Sequence, residues 1–161
     1  MRKVIGNRAF YLSAGIQKVG YVQGDNSLQK DGLHTLMWDF DEQEPAAVMV
    51  ELAIIQLLHD LSTIYILDTQ KEFGTSKRNL HARCYTALPW KEAFRIVEDT
   101  ELVCPMFLKL SHWREYFTLR FSDKGGRKIE PYATLKGDDS RAVEPEDSDN
   151  FVSYLTKIGG K

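Results

Sequence analysis

The chain has few cysteines, no long apolar run and no excess of positive charge, and each shortage excludes a class of protein. Its two cysteines, Cys84 and Cys104, have no CxxC motif or histidine cluster beside them, which argues against a structural zinc site and favours reduced thiols. The longest apolar stretch, residues 46–58, is interrupted by Glu51 and Gln56 and is too short to span a bilayer. Because the N-terminus also lacks a signal-peptide run, we expect a soluble cytoplasmic protein without membrane contact.

The charge and composition are those of an ordinary globular domain. The formal net charge is −2 over 161 residues, so any contact with nucleic acid requires a local basic patch. Apolar residues make up 43% of the chain, enough for a packed core. We predict a single α+β domain over residues 1–137, an acidic linker over 138–149, and a short C-terminal helix over 150–161.

The spacing of apolar residues predicts the order of the main elements. Alternation over residues 34–41 is typical of a strand, and Pro45 suits the first turn of a helix that runs to about Leu61. We expect the buried stripe of this helix to consist of Val50, Ala53, Ile54, Leu57, Leu58 and Leu61.

Four further segments complete the pattern. Residues 63–69 and 79–86 read as strands, 89–98 as a helix and 116–122 as a strand. The resulting order, β-α-β-β-α-β, predicts a ferredoxin-like or RRM-like sheet with helices on one face and the other face open. Short strands within residues 2–23 would be additional to it.

Asp39 and Asp41 are the strongest candidates for a chemical site. Two residues apart on a strand, they share one face with about 6–7 Å between their Cα atoms, so their oxygens could hold a hard cation such as Mg²⁺. The same alternation sends His81, Arg83 and Arg120 to a single face. A simpler interpretation stays open, in which the two aspartates are solvated acids at the entry to a helix.

Basic turns at two strand ends could hold a phosphate chain. One contains Lys77 and Arg78, and the other is the glycine-rich stretch 124–128, which begins with Lys124.

Three motifs occur in a fixed order along the chain. They are Asp-x-Asp at residues 39–41, Asn-Leu-His at 79–81, and Leu-Arg-Phe-Ser-Asp-Lys-Gly at 119–125. In this order they resemble the palm domain of the archaeo-eukaryotic primase (primase-polymerase) superfamily, over a core of about residues 34–128.

The resemblance implies a nucleotidyltransferase that joins nucleotides by two-metal attack of a 3′-hydroxyl on an α-phosphorus. Asp39 and Asp41 would be catalytic ligands of Mg²⁺ or Mn²⁺, and His81 would contact the phosphates of the incoming nucleotide. Arg120 or Lys124 would contact phosphate or template. The implied partners are a nucleotide triphosphate, single-stranded nucleic acid and a replication protein, in DNA replication of a plasmid or virus.

The chain departs from the family pattern in two places. Asn79 stands where serine is usual, and the position expected for a third carboxylate falls near Cys104. Asp99, Glu101 and Asp123 are alternative third acids. A second hypothesis is therefore a non-catalytic ferredoxin-like module that binds nucleic acid or a protein. A phosphohydrolase of the haloacid-dehalogenase kind is disfavoured, because Glu-Gln follows the second aspartate where that family has Gly-Thr or Gly-Ser.

Overall fold

The computed structural model divides the chain into two compact units. One unit consists of Met1–Tyr21 together with Ser153–Lys161, and the other of Val22–Val152. The predicted single domain over 1–137 therefore differs from the observed division, since the start of the chain groups with its end. The structure describes residues 2–5, 8–11, 17–72, 76–121, 127–144 and 151–157.

The smaller unit contains short strands near the N-terminus. β1 (Arg2–Ile5) and β2 (Arg8–Tyr11) form an antiparallel hairpin. β3 (Gln17–Asn26) begins in this unit and continues into the larger one. Strands are thus present where the glycine- and asparagine-separated apolar runs of residues 2–23 predict them.

The last described segment is a strand, and the prediction of a C-terminal helix over residues 150–161 is wrong there. β9 (Phe151–Lys157) is a neighbour of β3, whose other neighbour is β7 (Thr118–Arg120). The segment is rich in phenylalanine, valine, tyrosine and threonine, which fit an extended, pleated backbone better than a helix.

The predicted acidic linker over residues 138–149 is folded in its first part. A 3₁₀ helix forms over Asp139–Arg141. The carboxylate of Asp139 accepts hydrogen bonds from the backbone N–H and the hydroxyl of Thr63, at 2.8 and 3.0 Å. Asp139 is therefore held by both donors of Thr63, the residue before the strand that begins at Ile64. Residues 145–149 lie outside the described part of the chain.

A four-stranded antiparallel sheet forms the larger unit's frame. Its strands are β4 (His34–Gln43), β5 (Ile64–Glu72), β6 (Arg78–Leu88) and β8 (Glu130–Leu135), in the order β4-β6-β5-β8. β6 lies between β4 and β5. The strand predicted over 116–122 is β7, which pairs with β3 and not with this sheet, so the complete ferredoxin-like order is not formed.

β8 is an additional strand that the sequence pattern does not predict. Pro131, near its start, argues against a central strand because proline donates no ladder hydrogen bond. β8 tolerates the proline because it lies at the edge of the sheet, with Pro131 opposite Leu67 next to a register shift.

Among the described residues, three α-helices complete a mixed α+β architecture. α1 (Pro45–His59) begins with its proline, and α2 (Trp90–Glu98) lies where a second helix is predicted. α3 (Pro105–Arg114) is unexpected, because its apolar residues are spread around the helix and form no single stripe. Within the described residues, no helix has both the length and the apolar character needed to cross a membrane.

The buried face of α1 is not the predicted one. Its buried residues are Pro45, Val48, Leu52 and Ile55. Of the predicted stripe, Leu61 is buried beyond the helix end, whereas Val50, Ile54, Leu57 and Leu58 are between 53% and 83% exposed. Both sets follow the three-to-four-residue spacing of a helix, so spacing alone does not decide which set faces the sheet.

The core lies between the sheet and the helices. Three alternating residues of β4 are fully buried, namely Leu36, Trp38 and Phe40. The indole N–H of Trp38 donates to the Thr100 hydroxyl at 3.0 Å, so the polar atom of this large side chain is satisfied inside the core.

Candidate functional site

Asp41 lies in a bulge at the end of β4, and Asp39 precedes the bulge in the regular part of the strand. The β4–β6 register shifts between Phe40 and Gln43, and Glu42 has a φ of 55°. The amide of Asn79 spans the bulge: its Nδ2 donates to Asp41 Oδ1 at 2.6 Å, and its Oδ1 accepts from the Glu42 N–H at 2.9 Å. Asn79 is only 9% exposed, so a buried side chain holds Asp41 in place.

Cys104 joins these aspartates from a distant part of the sequence. Its backbone N–H donates to the Asp39 carbonyl at 2.7 Å, and the residue caps α3 directly before Pro105. Asp39, Asp41 and Cys104 each offer one ligand atom, and the three atoms all lie within 4.8 Å of one another. In the described part of the chain, this is the group of three side chains with the spacing of a metal site.

The local environment favours the neutral thiol when no cation is bound. Burial is the largest cause and raises the pKa of the Cys104 thiol above its usual value. The backbone N–H of Phe107 opposes this effect, while the Asp41 carboxylate raises the pKa further. Two carboxylates and a thiol that can ionise therefore lie close together, an arrangement that a bound cation would stabilise.

His81 lies directly opposite Asp39 in the β4–β6 ladder. Its Nε2 is 3.4 Å from Asp39 Oδ1. Burial lowers the pKa of His81 to about 3, and the nearby charges of Arg120 and Arg83 lower it as well. The imidazole is therefore neutral near pH 7 and offers Asp39 a weak hydrogen bond but no full positive charge.

Asp39, Asp41 and Cys104 line a cavity of about 400 Å³. Its polar wall includes His81 and two arginines, Arg114 of α3 and Arg120 of β7. Its apolar wall is formed by Met106, Phe107, Leu110 and Leu119. The carboxylates of Asp39 and Asp41 could bind a metal ion, and the guanidinium groups of the wall could bind an anion attached to it.

The face of the sheet that carries His81 and Arg83 is not open, contrary to the prediction. These residues are 7% and 8% exposed. Arg83 donates to the Asp25 carboxylate at 2.9 Å and lies 3.5 Å from the Leu119 carbonyl, so β3 and β7 cover this part of the face. Only the end that holds Asp39 and Asp41 opens into the cavity.

The other predicted basic residues lie elsewhere. Arg83 is engaged with Asp25 and is not among the residues that line the cavity. Arg78 forms an ion pair with Asp68 at 2.6 Å, and Lys77 is exposed in the loop before β6. Lys124 lies outside the described residues.

The alternative third acids do not join the aspartates. Asp99 and Glu101 line a separate apolar groove beside α1, and Asp123 lies outside the described residues. Cys104 takes the third position instead. The one sequence signal for this arrangement is the Cys104-Pro105 pair. Proline is favoured at the first position of a helix, so Pro105 could have predicted α3, which ends at Arg114.

Comparisons with known proteins do not extend this description. No protein-family model matches the chain, and neither the comparison with curated proteins nor the one with solved structures finds a match. The resemblance to the primase palm therefore depends on the three motifs alone, and the chemistry of the site must be argued from this chain's own residues.

Proposed function

We propose that the chain is a divalent-metal-dependent nucleotidyltransferase of the primase-polymerase kind, acting on nucleic acid in the cytoplasm during replication of a plasmid or virus. The observation that carries the proposal is the convergence of Asp39, Asp41 and Cys104 within 4.8 Å at the mouth of a cavity with arginines on its wall. A cation held by the carboxylates, together with nearby arginines, would stabilise phosphoryl transfer, because its transition state carries charge on the phosphoryl oxygens.

The donor set fits a divalent cation. Asp39 and Asp41 supply the carboxylate oxygens that Mg²⁺ and Mn²⁺ prefer. When bound, the cation would polarise a phosphoryl oxygen and lower the pKa of a coordinated hydroxyl. Asn79 fixes the Asp41 carboxylate through its amide donor, so the ligand is oriented before the cation arrives.

The cavity wall supplies the remaining functions. Arg114 and Arg120 carry donors that can bind phosphate oxygens of a nucleotide or of a nucleic-acid backbone. The neutral His81 orients the Asp39 carboxylate and leaves it available to a cation. A volume of about 400 Å³ is within the usual range of small-molecule sites.

The arrangement of β4, β6 and β5 supports the palm comparison. A ferredoxin-like palm carries its acidic pair on the first strand and its histidine on the strand beside it. Here Asp39 is on β4 and His81 is opposite it on β6. We propose that these strands, with α1 and α2, are the ferredoxin-like core of the domain.

Calorimetry with a nucleoside triphosphate and Mn²⁺ tests the proposal. We expect binding by the wild type, and we expect the double variant Asp39→Asn with Asp41→Asn to lose it. The control is Asp60→Asn, because Asp60 is exposed after α1 and asparagine tolerates its left-handed backbone. Mn²⁺-independent binding, or binding that survives in the double variant, would contradict the metal-dependent function.

A non-catalytic nucleic-acid-binding or protein-interaction module is the second candidate. The observation in its favour is that a thiol, Cys104, stands beside the two aspartates where a third carboxylate is expected. This candidate predicts a gel shift with single-stranded oligonucleotide that persists in EDTA and in the double aspartate variant. The nucleotidyltransferase predicts that the metal-dependent part of the binding disappears under both conditions.

A further inference from the structure

We propose that the Cys104 thiolate is the third ligand of this site, and that the site therefore prefers a thiophilic divalent cation such as Zn²⁺ to Mg²⁺. The inference depends on the proposed function only in taking the same two carboxylates, Asp39 and Asp41, as ligands. It adds the sulfur atom and a metal preference, which the primase resemblance does not imply.

The geometry permits coordination with small side-chain movements. Typical zinc bond lengths to sulfur and carboxylate oxygen place such ligands roughly 3.6 Å apart in a tetrahedron. The three ligand atoms already lie within 4.8 Å of one another. The Asn79 amide holds one oxygen of the Asp41 carboxylate, and the backbone of Cys104 is fixed by its hydrogen bond to the Asp39 carbonyl.

The donor set decides which cation is favoured. Thiolate sulfur binds Zn²⁺ and Co²⁺ well, whereas Mg²⁺ demands oxygen ligands in an octahedron. When the metal binds, a sulfur–metal bond forms and the thiol proton passes to water. Three protein ligands leave a fourth tetrahedral position open to the cavity, where water or a phosphate oxygen can bind.

An independent observation at His81 points to a ligand at the same place. His81 lines this cavity, is 7% exposed, and directs Nε2 towards the Asp39 carboxylate at 3.4 Å. Among the described residues its buried Nδ1 has no hydrogen-bond partner of normal geometry, and a weak interaction with the Arg120 backbone only partly offsets the burial. A carboxylate that binds a metal is commonly oriented by a neighbouring polar side chain, and His81 is placed to do this for Asp39.

The sequence argued against zinc because no CxxC motif or histidine cluster surrounds either cysteine. Such motifs mark zinc sites whose ligands are close together in the sequence. Here the ligands come from β4 and from the residue directly before α3, which are far apart in the sequence and are brought together by the fold. The fold, through the contact between Cys104 and Asp39, assembles the site.

Titration of the full chain with Co²⁺ is the first experiment. A cobalt–thiolate bond gives a charge-transfer band in the near ultraviolet, which oxygen ligands do not give. We expect the band in the wild type and its loss in Cys104→Ser. The matched control is Cys84→Ala, which removes the other thiol, buried beside Ser62 and Thr86 away from the cavity, and should keep the band.

Competition between metals gives the size of the effect. We expect Cys104→Ser to bind Zn²⁺ at least about 100-fold more weakly than the wild type, since loss of an outer-shell partner alone costs 10- to 100-fold. Cys104→Asp should lose the band and shift the preference from Zn²⁺ towards Mg²⁺ and Mn²⁺, because it supplies the oxygen that those cations require.

A measurement without any variant guards against misfolding of the mutants. Alkylation followed by mass spectrometry should modify Cys104 in the metal-free wild type, and Zn²⁺ should protect it while Mg²⁺ should not. Metal binding that gives neither a band nor protection would overturn the thiolate ligand and leave the proposed function standing. A band and protection without nucleotide binding would support the thiolate ligand and reject the nucleotidyltransferase.

Discussion

A single buried amide, that of Asn79, determines where Asp41 lies. We predict that Asn79→Asp weakens binding of Mn²⁺ or Zn²⁺ by about 10- to 100-fold. The exchange keeps the shape of the side chain but replaces the donor to Asp41 with a second carboxylate, so two like charges would face each other. It should also destabilise the fold by about 1–3 kcal/mol, since the bulge loses part of its support. Calorimetry and urea unfolding measure the two effects.

The matched control for this exchange is Asn26→Asp. The Asn26 side chain accepts a hydrogen bond from the Leu28 N–H at 2.9 Å, and aspartate can accept the same bond. It should therefore leave both metal affinity and stability within about 0.5 kcal/mol of the wild type. Equal metal affinity in Asn79→Asp and Asn26→Asp would show that the amide does not orient Asp41.

His34 makes the stability of the protein depend on pH. It is 5% exposed, its Nδ1 is 3.1 Å from the Ser27 hydroxyl, and burial lowers its pKa from 6.5. The unfolded chain therefore binds a proton more readily, and the free energy of unfolding should fall as the pH decreases from about 6.5 towards the folded pKa. Urea unfolding between about pH 8 and about pH 5 should show a smaller decrease in His34→Gln than in the wild type. Identical pH dependence in the two proteins would contradict this role.

At the scale of the helix, α1 offers a comparison within one element. Leu52 is fully buried and Leu57 is 83% exposed. We predict that Leu52→Ala costs about 2–5 kcal/mol of unfolding free energy, because it opens a cavity against the sheet. Leu57→Ala, the same exchange one and a half turns later, should change stability by no more than about 0.5 kcal/mol. Urea unfolding of both variants checks this, and equal losses would mean that the outer face of α1 is also covered.

The same helix shows what local sequence can and cannot predict. Pro45 and the spacing of apolar residues predict α1 and its start, because these signals act within a few residues. They cannot select the buried face, since the set with Leu52 and the set with Leu57 have the same periodicity. That choice depends on contacts with the sheet. The strand β8 was missed for a related reason, because Pro131 is acceptable only at an edge that other strands define.

The residues of the candidate site also divide into those that local sequence predicts and those that depend on contacts between distant elements. Asp39 and Asp41 are predictable because both lie on one alternating strand, and His81 because it lies on the strand that pairs with it. Cys104 is not, since its place beside them comes from a backbone contact between β4 and the start of α3. Arg83, in contrast, lies on the same face as His81 by strand alternation, but it forms an ion pair with the Asp25 carboxylate of β3. No local sequence pattern predicts that ion pair.

For the whole molecule, the net charge of −2 and the pairing of Arg78 and Arg83 with acids limit how nucleic acid could be held. If single-stranded nucleic acid binds through the two cavity arginines, the logarithm of the affinity should fall with the logarithm of salt concentration with a slope of about −1.4. Arg114→Gln should reduce the steepness by about 0.7. Fluorescence anisotropy of a labelled oligonucleotide over a salt series measures both slopes.

Arg95→Gln is the control for this series. Arg95 lies on α2, its side chain is 82% exposed, and it is not among the residues that line the cavity. Its loss should leave the slope unchanged. A much steeper slope in the wild type, unaffected by Arg114→Gln, would mean that binding uses many phosphates at another surface. The basic stretch 124–128 would then become the next region to mutate, because it holds three positive charges within five residues.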